Sequence, residues 1–218
     1  MALPPFAGQW QLLPKPMVRE AEFLSLKDSP DKKIEDYYDR LLGDWAAEEV
    51  FAALVAYEAD QIKDLVSKRL LTEGQMIFFC LEYFRAEVLN GGFLQFLENV
   101  SFMLEDVLFS LHRLELSNLA ADVGVAAQEI SSHLEQRRWP SEDATEGASK
   151  AELQRVTDEL RNLLQKSHSG KRLKRGFAMV WNEQANELQW QPDQYAVQLA
   201  NRMIKYIDSH YSEFCSKP

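Results

Sequence analysis

The segment MIFFCLEYF, residues 76–84, restricts the fold of this chain more than any other stretch. Met76, Ile77, Phe78, Phe79, Cys80, Leu81, Tyr83, Phe84 and then Val88 leave it apolar on several sides at helical spacing. A helix that is hydrophobic nearly all round has to be surrounded by other elements. Its start is also legible. In Thr72-Glu73-Gly74-Gln75, Thr72 can accept from the amide three residues on while Gln75 reaches back, which is a capping box. A central helix over about residues 73–90 is therefore predicted.

Amphipathic segments supply what surrounds it. Ile34, Tyr37, Tyr38, Leu41 and Leu42 form one helical stripe that ends at Gly43. Val50, Phe51, Leu54, Tyr57, Ile62 and Leu65 form another, predicting a helix from Asp44 to about Leu70. Further helices are expected over about 104–115 and 117–136, and through Val156 and Leu160 after a polar loop at 141–150. Pro192 is expected to open the last, with Tyr195, Leu199, Met203 and Ile207 facing in. Residues 177–191 read equally as short strands or loop, and no internal repeat or sustained alternation is present. The expected class is all-α, a single irregular bundle of about seven helices over residues 31–218. Residues 1–30, with Pro4, Pro5, Pro14, Pro16 and Pro30, read as an extended Pro-rich arm.

Charge narrows the function classes. The net charge of −10 argues against nucleic acid and anionic membranes as partners. The start, MALPPFAGQW, has no basic segment, and no run approaches the ~18 apolar residues of a membrane span. With only two cysteines, a cytoplasmic location is expected. The acids crowd the N-terminal third: from Arg19 to Asp64, thirteen Asp or Glu face six Lys or Arg, a net of −7. Asp28, Asp31, Glu35 and Asp39 are spaced 3, 4 and 4 and share a face where helical. With Glu48, Glu49, Asp60 and Asp64 they make the candidate partner-binding surface. Lys32 and Arg40 partly offset the stripe.

One stretch has the opposite sign. KSHSGKRLKRG places Lys166, Lys171, Arg172, Lys174 and Arg175 together, with no acid between 160 and 182. It reads as a basic turn that complements a helix C-terminus, with Gly170 as the cap. Lys171, Arg172, Lys174 and Arg175 are the candidate contacts if nucleic acid were bound directly.

Signatures of catalysis are missing. None of His112, His133, His168 and His210 sits in a zinc-protease or di-iron pattern, and no phosphate loop, nucleophile elbow or CxxC occurs. Glu129 and His133 are spaced i, i+4, a pair that is usually a surface contact, since a metal needs three or four donors. No catalytic residue, metal or cofactor is assigned. An enzyme would require a site without a motif.

The stretch EVLNGGFLQFLEN, residues 87–99, stands apart because two glycines interrupt apolar helical runs. No Lys or Ser/Thr follows them as a phosphate loop requires, so a corner in the core is expected. In that reading Gly91 takes the left-handed conformation, Gly92 lets the next helix start close by, and Asn90, Gln95 and Asn99 bond freed backbone groups. The longer run FRAEVLNGGFLQFLEN resembles the hallmark of a bacterial all-helical family of largely unknown function. The match falls on Glu87, Val88, Asn90, Gly91, Gly92, Phe93, Gln95, Phe96 and Asn99, and a closing Tyr206, Ile207 and His210 is also similar. The resemblance spans about 70–135 and 192–214. It departs after Asn99, where Val100-Ser101-Phe102-Met103 replaces a small polar loop.

The resemblance implies an all-α fold, a structural role for the motif and a partner-binding protein. One family member is described as a DNA mimic. The expected function is a non-enzymatic acidic interaction protein that binds a basic protein partner, such as a DNA-binding protein or regulator. The alternatives are a toxin-immunity-type inhibitor, nucleic-acid binding through 171–175, and an enzyme.

Overall fold

A computed structural model describes residues 33–35, 37, 61–68, 71–136 and 150–214. The Pro-rich arm, most of the first two expected helices and the loop at 141–149 lie outside the described residues. The helical class is as expected. The α-helices are α1 (Ile62–Ser67), α2 (Glu73–Gly91), α3 (Phe93–Val100), α4 (Leu104–Arg113), α5 (Ser117–Gln136), α6 (Lys150–Lys166), α7 (His168–Gly176) and α8 (Tyr195–Ser209). Short 3₁₀ turns follow α3 (Ser101–Met103) and α8 (Tyr211–Glu213).

Helix α2 is the axis of the bundle. Its residues 74–82 are all buried, as are Phe84 and Val88. Helices α1, α3, α4 and α8 pack around it. The capping box forms as expected, with Thr72 Oγ1 accepting from the Gln75 amide at 3.1 Å and Gln75 Oε1 accepting from the Thr72 amide at 2.9 Å. Glu213, from the far end of the chain, adds a carboxylate that accepts from the Gly74 amide at 2.6 Å. An anion at a helix N-terminus also complements its dipole.

Helix α1 differs from expectation. Gln61 has extended dihedrals and is the N-cap, so no continuous helix runs through it toward Leu70. The reason is tertiary. The fully buried Asp106 on α4 accepts from the Ile62 and Lys63 amides at 2.9 and 3.2 Å, capping α1 from another helix. Burial pushes the Asp106 carboxyl above its ordinary value, although both amides pull it down.

The segment left open at 177–191 contains a small antiparallel hairpin, β1 (Val180–Asn182) and β2 (Glu187–Gln189). Asn182 Oδ1 accepts from the Gln184 and Ala185 amides, and Asn186 takes a positive φ, so asparagines shape the turn. The buried Gln194 ties the hairpin base to α8. Its Oε1 accepts from the Gln191 amide, and its Nε2 donates to the Ala178 and Arg175 carbonyls. The basic stretch is not a turn but helix α7. Ser167 is its N-cap, and Gly170 sits inside its first turn rather than ending α6.

Candidate functional site

The acidic surface inferred from sequence is described only in part. Asp28, Asp31, Asp39, Glu48, Glu49 and Asp60 lie outside the described residues. Glu35 is exposed and lies 3.5 Å from Arg85, whose guanidinium also makes a bidentate contact with the buried Glu82 at 2.6 and 2.8 Å. Asp64 accepts from the Gln61 amide at 3.3 Å and is part of the α1 cap. These two carboxylates are thus in local use. The same holds elsewhere: Glu105 meets Lys63 at 3.3 Å, Glu115 meets Arg202 at 3.0 Å and Asp158 meets Arg161 at 2.9 Å. Exposed pairs of this kind contribute little to stability, but each cancels a charge that could otherwise meet a partner.

The motif builds a corner between α2 and α3. Gly91 is the last helical residue, and Gly92, not Gly91, has the positive φ of 86° with ψ 178°. That region is close to glycine-only. Gly91 serves clearance instead: a Cβ there would overlap the Gln95 side chain. Gln95 crosses Gly91 to reach Glu87, donating through Nε2 at 2.9 Å, and Asn99 Nδ2 donates to the same oxygen at 2.8 Å. Gln95 and Asn99 therefore clamp a carboxylate rather than freed backbone groups. Phe93 and Phe96 are buried, and Phe96 meets Phe84 edge-on with centroids 5.0 Å apart. Asn90 is exposed and has no hydrogen-bond partner among the described residues.

That corner faces a groove closed on the other side by α6 and α7. The groove has a volume of about 350 Å³ and an apolar wall of Leu89, Phe93, Leu94, Leu164, Leu173 and Phe177. Asn90, Arg161 and Lys174 also line it. A second cleft shares Gln165, Lys174 and Ala178 with the groove and adds Lys171 and Arg175. The motif residues were legible as structural, but their place on a groove was not, because the opposite wall comes from residues about 70 positions later.

The basic residues do not act as one patch. Arg172 turns inward: its Nε lies 3.0 Å from the Asp122 carboxylate, and its Nη2 donates to the Tyr195 hydroxyl at 2.7 Å. Tyr195 in turn donates to Asp122. Burial and the Asp122 carboxylate push the Tyr195 phenol above its ordinary value. This triad joins α5, α7 and α8. Lys171, Lys174 and Arg175 are exposed and have no carboxylate partner among the described residues. His133 Nε2 lies 3.8 Å from Glu159, while Glu129 accepts from Ser169 at 2.8 Å, so the Glu129–His133 spacing forms no shared site. No cluster of metal-ligating side chains occurs among the described residues. No described helix is long and apolar enough to cross a membrane.

The fold is an all-helical bundle whose motif corner lines a groove. The chain belongs to the DMP19-like protein family, whose model matches residues 69–210, and that family is of DNA-mimic type. The match starts after Asp64, so the candidate acidic residues precede it. No curated protein and no solved structure matches the chain.

Proposed function

We propose that the protein is an acidic interaction protein that occupies the DNA-binding surface of a basic protein partner. The family supports this reading, since a DNA-mimic type implies partners that bind DNA. The observation that carries it to this chain is the density of acids in the sequence ahead of the family match. In the described bundle, Glu73, Glu82, Glu105, Glu115, Asp122 and Asp158 each face an Arg or Lys. Between residues 34 and 60 eight acids accompany the single base Arg40, and of these Glu35 meets Arg85 from α2. A dense run of carboxylates is what a phosphate mimic needs, and it would steer a cationic partner in a salt-sensitive way.

The test is affinity capture from a native lysate at low and high salt, with duplex DNA as competitor. DNA-binding proteins should be retained at low salt and released by both salt and DNA. A variant with Asp28, Asp31, Glu35 and Asp39 changed to Asn or Gln should retain less. Partners that stay bound in high salt, or that ignore the DNA competitor, would refute the reading.

A further inference from the structure

We infer that the groove between the α2–α3 corner and α6–α7 docks an acidic, apolar-anchored peptide segment of another protein. Among the described residues, none of the candidate acidic residues lines this groove, and docking there does not depend on them. Three observations converge on this occupant.

The first is charge. Several arginines elsewhere in the bundle are neutralised, as Arg113 is by Glu73 at 2.5 Å and Arg202 by Glu115 at 3.0 Å. Lys174 in the groove, with Lys171 and Arg175 in the adjoining cleft, lacks any carboxylate partner among the described residues. Within a chain of net charge −10, this is a local positive field. Arg161, at the same rim, is held by Asp158 and adds less.

The second is the wall. Leu89, 36% exposed, opens the groove over the buried Phe93, Leu94, Leu173 and Phe177. A half-open apolar slot of this size takes a leucine- or phenylalanine-sized side chain. Beyond Ala178 the chain continues into Met179 and Val180, both exposed. Phe93 and Phe177 are buried, so the wall presents no open aromatic face for a base to stack on and suits a peptide side chain better.

The third is Asn90. Its amide has two donors and an acceptor, and none is used among the described residues. At the groove edge it matches the N–H and C=O of a peptide backbone. A docked segment would then place an apolar side chain on the wall, acids near Lys174, Lys171 and Arg175, and a peptide group on Asn90.

The probe is a labelled peptide, Glu-Asp-Leu-Asp-Phe-Asp-Glu-Leu, followed by fluorescence anisotropy with the full chain. Comparators replace every acid with Lys, or Leu and Phe with Ser, and include a single-stranded oligonucleotide. The acidic apolar peptide should bind saturably and weaken as salt rises. Lys174→Glu and Leu89→Glu, both exposed changes checked for unaltered helicity, should each weaken it about tenfold or more. Asn90→Ala should weaken it less. Absence of saturable binding at low salt overturns the inference. Equal binding of the Ser comparator overturns it, because the wall would then be idle. Tighter binding of the oligonucleotide through Lys174 overturns it in favour of nucleic acid.

Discussion

Two helix corners meet at the groove, and they are built on different principles. At α2–α3 no side chain caps the second helix; Gly92 turns the chain through a conformation that other residues avoid, and Glu87 holds Gln95 and Asn99 across the bend. At α6–α7 the turn is made by Ser167, whose Oγ accepts from the Gly170 amide at 3.0 Å. Gly170 has ordinary helical backbone but no room, since a Cβ would run into the Leu164 carbonyl. The same residue type thus supplies backbone freedom at one corner and space at the other. A composition-based reading cannot separate these uses.

Substitutions can break that contrast. The largest effect is expected for Gly170→Ala, where backbone would have to move; a loss of about 3 kcal/mol in urea unfolding is the expected result. An unchanged midpoint would mean that α6 and α7 are not closely apposed. Gly92→Ala should cost about 2 kcal/mol, although its Cβ meets nothing within 4 Å. If it were neutral, conformational freedom would not be what that corner requires. Ser167→Ala should lower stability by about 1 kcal/mol through the lost cap, with little effect at the other corner. The smallest effect should be the coupling between Gly91 and Gln95. The alanine double variant should be less destabilised than the sum of the single ones by about 0.5 kcal/mol or more. Strict additivity would show that Gln95 does not cross Gly91.

The comparison also shows what was legible. Helix α2 could be read closely because its capping box and apolar character are local properties of consecutive residues. Helix α5 emerged at Ser117–Gln136, the span its stripe predicts. Gly91 and Gly92 mark a corner, but the residue with positive φ is Gly92, one position later than expected. Which of two adjacent glycines bends depends on where the last helical hydrogen bond falls, here the Gly92 amide to the Val88 carbonyl at 3.0 Å. The basic stretch differs from the expected turn for a similar reason. Glycine and four cations look like an exposed loop, yet Ser167 starts a helix whose Leu173 is buried.

The candidate sites divide along the same line. That Lys171, Arg172, Lys174 and Arg175 form a basic group is evident from the chain alone, but their different fates are not. Arg172 is drawn inward by Asp122 and Tyr195, residues 50 positions before it and 23 after it in sequence, while Lys171, Lys174 and Arg175 remain outside. For the acidic group, only Glu35 and Asp64 are described, and each is engaged locally.

The sequence by itself determined the helical class, the central helix and its cap, and the presence of a corner at the paired glycines. These rest on interactions within a few residues, which periodicity and capping chemistry encode directly. Only the tertiary structure decided that Asp106 starts α1, that Gln95 crowds Gly91, and that the corner opens on an apolar groove with Lys174 at its edge. Each of these depends on side chains meeting across helices, where burial and charge are set by neighbours distant in the chain.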